Sequence, residues 1–167
     1  MTDLVNTAPG VWSGVDQLGD DAALRDFLDG HRLGATRITA DDVADVHAVR
    51  ERLRPLVETA DAGGRVAGAA VLTEPVVRVA LDGDAWVAVL AEDTGAAEVL
   101  GVVGGLGLLS VQRHLGSDRF RPCASDTCSG VFVDVSRPGR RRYCMPGHCG
   151  NRVNVANHRA RRRARDT

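Results

Sequence analysis

Leu24, Phe27 and Leu28 recur at helical spacing within residues 21–31, so this stretch predicts an amphipathic helix. Thr39 then reads as a helix N-cap, with Asp41 and Asp42 in the first turn, where the helix dipole favours negative charge. The helix that follows carries Val43, Val46, Val49 and Leu53 on one face, and Pro55 is expected to kink or end it. Residues 56–75 read as one short helix or two, broken at Gly63 and Gly64. The period then changes. Val77, Val79 and Leu81 alternate with Arg78 and Ala80, Asp82-Gly83-Asp84 supplies a turn, and Trp86, Ala88 and Leu90 alternate on the way back. Residues 76–91 therefore predict a β-hairpin. Residues 95–114 are apolar and dotted with glycine. They predict a helix packed on that hairpin, with Gly101, Gly104, Gly105 and Gly107 allowing close backbone approach. Residues 116–122 read as a linker.

Charge changes this picture by dividing the chain. Residues 1–118 carry 9 Arg against 19 Asp and Glu, a net of −10, whereas residues 119–167 carry 12 Arg against 3 Asp, a net of +9. An acidic body with a basic end points to a polyanion as partner of that end. The longest apolar run, residues 99–109, has 11 residues with four glycines. It is too short to span a bilayer and reads as core. The first residues lack the basic start and apolar stretch of a signal peptide. A cytoplasmic protein with no membrane partner is expected, and in that reducing compartment paired cysteines serve metals more often than disulfides.

All four cysteines fall in the basic end, as Cys123-x4-Cys128 and Cys144-x4-Cys149. Two such pairs with a hairpin-length spacer predict one structural Zn2+ held by four thiolates; two disulfides or free thiols are the other reading of the same residues. Val131 to Val135 alternate as a strand, residues 136–139 make a turn, and residues 140–143 make the return strand. Gly130, Gly147 and Gly150 supply the tight backbone of the two knuckles. After Cys149 a helix is expected, with Asn151 as its N-cap. Its Val153, Ala156, Ala160 and Ala164 fall within an arc of roughly 80° and should pack on the zinc hairpin. Arg152, Arg159, Arg162 and Arg163 cluster beside that stripe, Asn154, His158, Arg161 and Arg165 cover the rest, and Arg137, Arg140, Arg141 and Arg142 lie at the hairpin tip.

These motifs carry a resemblance. Residues 123–134, Tyr143-Cys144, Cys149-Gly150-Asn151-Arg152 and the basic tail resemble the CGNR zinc-finger family over residues 121–165. Tyr143 stands where that family more often has Trp, and residues 145–148 vary its usual spacer. The early Leu4-Val5-Asn6-Thr7, the helices and the Trp86 hairpin resemble the ABATE domain that usually precedes this finger. The resemblance implies a stress-induced transcription regulator. Its expected fold is α+β: a mainly helical N-terminal domain with a β-hairpin, residues 1–117, then a treble-clef-like zinc ribbon ending in a basic helix, residues 120–165. The finger would bind nucleic acid, duplex DNA in preference to RNA, through Arg140, Arg141, Arg142, Arg152, Arg159, Arg162 and Arg163. The N-terminal domain would sense a small-molecule signal or mediate self-association. A protein-interaction adaptor is the reading from another class; there the basic finger would dock on an acidic surface, the chain's own body included.

An enzyme is not expected. A His-metal nuclease built on a zinc module needs a catalytic metal and a general base. Residues 119–165 offer only Asp126, Asp134, His148 and His158, with no paired carboxylates.

Overall fold

A computed structural model describes residues 2–34, 36–39, 41–74, 78–91 and 93–164 of the 167-residue chain. The order of elements is α1 (Thr2–Val5), α2 (Asp21–Gly30), α3 (Asp42–Glu58), α4 (Ala62–Leu72), β1 (Arg78–Asp82), β2 (Ala85–Val89), α5 (Ala96–His114), β3 (Phe120–Pro122), β4 (Val131–Val133) and α6 (Asn151–Arg163). The architecture is α+β, with a helical body, one hairpin, a four-cysteine ribbon and a terminal helix.

The apolar periodicity seen in α2 and α3 builds the core. Leu24 and Leu28 of α2, Val46, Val49, Leu53 and Val57 of α3, and Leu100 and Leu108 of α5 share one buried cluster. Several local expectations are corrected. Thr39 does not cap α3. The helix begins at Asp42, and the buried Asp42 carboxylate reaches back to accept bonds from the Thr39 N–H and from its Oγ1, the latter at 2.9 Å. Pro55 neither ends nor breaks α3, which runs to Glu58. Leu53 and Val57, both buried, hold the last turn in place against the loss of one hydrogen bond. Gly63 and Gly64 do not divide residues 56–75 either. The chain breaks earlier, at residues 59–61, where Asp61 caps α4 by accepting from the Gly63 N–H at 2.9 Å.

Strands β1 and β2 pair antiparallel, with Arg78 opposite Val89 and Asp82 opposite Ala85 around Gly83 and Asp84. The expected alternation at Val77 lies outside the described residues. Among the described residues helix α5 packs chiefly on α3 and α4. By length and composition alone α5 could cross a membrane. Here its Val99, Leu100, Val102 and Leu108 are buried.

Residues 116–122 are not a loose linker. They form a 3-10 turn at Ser117–Arg119 and strand β3, which pairs antiparallel with β4 through Phe120–Val133, Arg121–Phe132 and Pro122–Val131. The ribbon is therefore β3 with β4. The expected return strand at residues 140–143 does not form: β3 occupies one edge of β4 and Asn6 bonds Val131 on the other, while Arg142 O accepts from the Ala124 N–H at 2.8 Å. All three residues of β4 are buried, and they alternate between two cores, Val131 and Val133 toward the helical body and Phe132 toward the cysteines. Phe120, Val131 and Val133 join the same core cluster as Leu4, Val5 and Leu53. The ribbon is thus built into the helical body.

Candidate metal centre and basic surface

Each cysteine pair bends around a short turn. In the first, the Cys123 N–H donates to Gly130 O at 2.7 Å and the Cys128 N–H to Ser125 O at 3.0 Å. In the second, a single π turn at Pro146–Gly150 carries Cys149, whose N–H donates to Met145 O at 2.8 Å. The two turns bring the four sulfurs within 4.8 Å of one another. Cys128, Cys144 and Cys149 stand 3.7 Å apart in all three pairings. A tetrahedron with Zn–S of about 2.3 Å has edges of about 3.8 Å. The donor set therefore already has the size a four-thiolate ion needs, whereas a cystine would need about 2.05 Å. The Gly130 N–H points at Cys128 Sγ, 3.4 Å away. A Cβ at Gly130 would sit 2.7 Å from Cys144 Sγ, so only glycine fits there.

The protonation chemistry agrees. Burial pushes the Cys144 and Cys149 thiols up, and the neighbouring sulfurs push Cys144 further. At Cys123 burial also acts upward, but hydrogen bonds from the Cys144 and Ser125 backbone and from the Cys144 and Cys128 side chains outweigh it and lower the value. A cluster in which some thiols resist ionisation binds its cation by releasing protons. His148 stays outside the set. It is exposed, and its ring lies 5.7 Å from that of Trp12.

Below the metal pocket, Phe132 packs against the cysteines. Asp134 shapes the turn beyond it. Its fully buried carboxylate accepts from Ser136 Oγ at 2.6 Å, the Ser136 N–H at 3.0 Å and the Arg141 N–H at 2.8 Å, with Arg121 Nη1 at 3.4 Å. The Ser136 hydroxyl holds this carboxyl below its ordinary value, against an upward push from burial; the two N–H groups and Arg121 add to the lowering. Sequence reasoning treated Asp134 only as a lone acid and missed this role. The signal was there, since Asp followed two residues later by Ser is a turn-forming pair.

The segment Leu4-Val5-Asn6-Thr7 also has a physical role that the residues alone did not reveal. Asn6 Nδ2 donates to Val131 O at 2.7 Å, and the Val131 N–H donates to Asn6 Oδ1 at 2.9 Å. Asn6 thereby completes β4 as a missing neighbour strand would. Trp12 Nε1 donates back to Asn6 O at 2.8 Å. Arg54 Nη1 donates to Ser129 O at 3.0 Å. The buried Arg65 lies over the Phe120 ring, 4.1 Å from its centroid, and donates to Leu56 O, Thr59 O and Gln112 Oε1.

The arginines divide into two groups. Arg141 is committed inside the finger, where it donates to Tyr143 O at 2.9 Å and to Cys144 O and lies over the Phe132 ring. Arg137, Arg140 and Arg142 are exposed around the turn, and Arg142 lies 5.5 Å from the Tyr143 ring centroid. Arg152, Arg159, Arg162 and Arg163 are exposed on α6, and Arg152 Nη2 donates to Thr127 Oγ1 at 2.9 Å. Arg165 lies outside the described residues.

Asn151 is not the N-cap of α6. Gly150 is already helical at φ −62° and ψ −44°, so α6 continues straight from the π turn, and Asn151 Nδ2 donates to Gly147 O at 2.7 Å. That continuity also overturns the expected packing of the small-residue stripe. Val153 is half-buried beside residues 125–127, but Ala156, Ala160 and Ala164 are exposed, and α6 has no buried residue. No bend turns the helix back toward the ribbon, so it runs out from the finger.

Among the described residues, the four cysteines are the one group of three or more ligand-type side chains close enough to share a metal. Two family models match the chain. The ABATE model, described as "Putative stress-induced transcription regulator", covers residues 1–115. The CGNR zinc finger model covers residues 119–162. A search of curated proteins finds no match. Geometry and family together assign Cys123, Cys128, Cys144 and Cys149 to one structural Zn2+. With four thiolates the site leaves no position open for substrate.

Proposed function

The chain belongs to the ABATE family and ends in a CGNR zinc finger, and from that premise we propose that it is a cytoplasmic transcription regulator whose finger binds duplex DNA. The observation that carries the reading is α6. It is a basic helix with no buried residue, anchored at one end by the metal centre. A bare helix fits the major groove of B-DNA, about 12 Å wide. Arg152, Arg159, Arg162 and Arg163 supply charge along it, with Arg140 and Arg142 on the flanking turn; Arg141 buttresses the second knuckle.

RNA fits less well. Single-strand recognition rests on exposed aromatic platforms, and the A-form major groove is too narrow for a helix. Phe120 and Phe132 are buried, and Tyr143 is half-buried between Gly150 and Arg142. The remaining assignment gives residues 1–117 sensing or association and residues 120–165 DNA contact. For a small-molecule signal, the apolar cavity between Leu4, Phe27, Leu33 and Leu100 holds only about 120 Å³. Drug-sized ligands need about 300 Å³ or more; two open clefts on the body, about 330 Å³ beside Arg52 and Leu72 and about 360 Å³ beside Arg32 and Leu90, reach that size, so the body can serve sensing as well as association.

A gel-shift titration of the zinc-loaded full chain against salt tests the reading. Neutralising about six phosphates gives a slope of log K against log salt near −5. A flat response, or retention of an acidic protein partner with no duplex bound, would favour the adaptor reading instead.

A further inference from the structure

Helix α6 has a side turned toward the finger and a side turned away. Arg152, Val153, Ala156 and Asn157 line the shallow groove against Ser125 and Thr127. At about 100° per residue these four centre on one direction, and the direction opposite is occupied by Asn154, Val155, His158 and Arg162. All four are exposed, Val155 at 49%. Arg159 and Arg161 fall about 80° to either side of that strip. A strip of polar and apolar groups that holds one guanidinium, Arg162, and is flanked on each edge by another has the layout of a helix lying in a groove, with its floor against base edges and its flanks against the two phosphate walls.

Resting on the duplex-DNA reading above, the geometry points to Asn154 and Val155 as the residues that select the DNA sequence. The Asn carboxamide can both donate to adenine N7 and accept from its N6 amine, and an aliphatic side chain packs on the thymine methyl. Val155 has no core to enter, and valine is a weaker helix former than alanine, so neither burial nor propensity accounts for it in an otherwise charged helix. Arg159 and Arg161, by contrast, hold the backbone whatever the sequence.

The experiment selects binding sites from a random duplex library with the zinc-loaded full chain, then measures affinity for the selected site and for a scrambled duplex. Asn154→Ala and Val155→Ala each lower the ratio of the two affinities by about 5- to 100-fold, with the salt slope unchanged. Arg159→Ala weakens both duplexes alike and reduces the slope by about 1. Zinc stoichiometry in each variant reports that the finger is intact. An unchanged ratio in both Asn154→Ala and Val155→Ala, with duplex binding retained, overturns the inference and leaves the DNA reading standing. Failure of the parent chain to bind any duplex overturns both.

Discussion

Gly130 and Gly147 make a matched pair at the residue scale. An added Cβ at Gly130 meets Cys144 Sγ at 2.7 Å, whereas one at Gly147 meets nothing within 4 Å. Gly130→Ala is expected to leave the purified protein with well under one zinc per chain, while Gly147→Ala retains it; metal analysis distinguishes the two. Asp16 gives the pH-dependent case. It accepts from Arg50 Nη2 at 2.7 Å and Nη1 at 2.9 Å, and this pairing holds its carboxyl below the ordinary value despite partial burial. A carboxyl lowered in the folded state stabilises above its unfolded value of about 3.9, and that stabilisation is lost as the pH falls through the folded value. Zinc-free Asp16→Asn should therefore unfold at lower urea than the zinc-free parent at pH 7, and the two midpoints should converge below about pH 4. Midpoints that stay equally far apart would show that Asp16 acts through something other than its charge. Such pairings across 34 positions were not readable from the chain, because nothing local marks which arginine a given aspartate will meet.

At the scale of elements, α5 shows why glycine belongs in a core helix. A Cβ at Gly105 would lie 2.8 Å from Ala69 O on α4, a backbone atom that cannot swing aside. Alanine gains about 1 kcal/mol of helix propensity, but overpacking against backbone costs about 1–3 kcal/mol. Gly105→Ala is thus expected to be neutral to destabilising by about 2 kcal/mol, read from the urea midpoint; a clear gain in stability would mean that α4 and α5 are not in contact. Close packing at these glycines was legible in the sequence, and so were α2, α3 and the 78–89 hairpin. The partner of α5 was not, since an apolar face records that something covers it but not which element. The same limit hid β3. Phe120-Arg121-Pro122 is too short to show a period, and the far edge of its partner β4 is bonded by Asn6, more than a hundred residues away. The cysteine spacing, by contrast, encodes the metal site almost completely, because four ligands at fixed intervals leave few geometries.

For the whole molecule, the consequence of a shared core is thermodynamic coupling between metal and body. Phe120, Val131 and Val133 are held from one side by the helical body and from the other by the ribbon that the metal staples. Chelation should lower the melting temperature of the full chain as one transition, since ligand binding to the native state stabilises everything that unfolds with it. Asn6→Ala, which leaves the Val131 N–H and C=O without their partner, should destabilise by about 1–3 kcal/mol and speed zinc loss to a chelator. A body that melts unchanged while zinc leaves would show that the two halves are independent. The charge division between the halves was visible from composition; their physical union was not, because Arg54 and Arg65 carry no motif of their own and the motif that holds Asn6 does not say what Asn6 bonds.

The straight run from the π turn into α6 has a mechanical corollary. Thirteen helical residues extend about 20 Å from the second knuckle. A tilt of about 10° at that pivot would carry the far end by about 3.5 Å, the rise of a single base pair. Which nucleotide each side chain meets is therefore governed by the angle at which one cluster of sulfurs launches the rod.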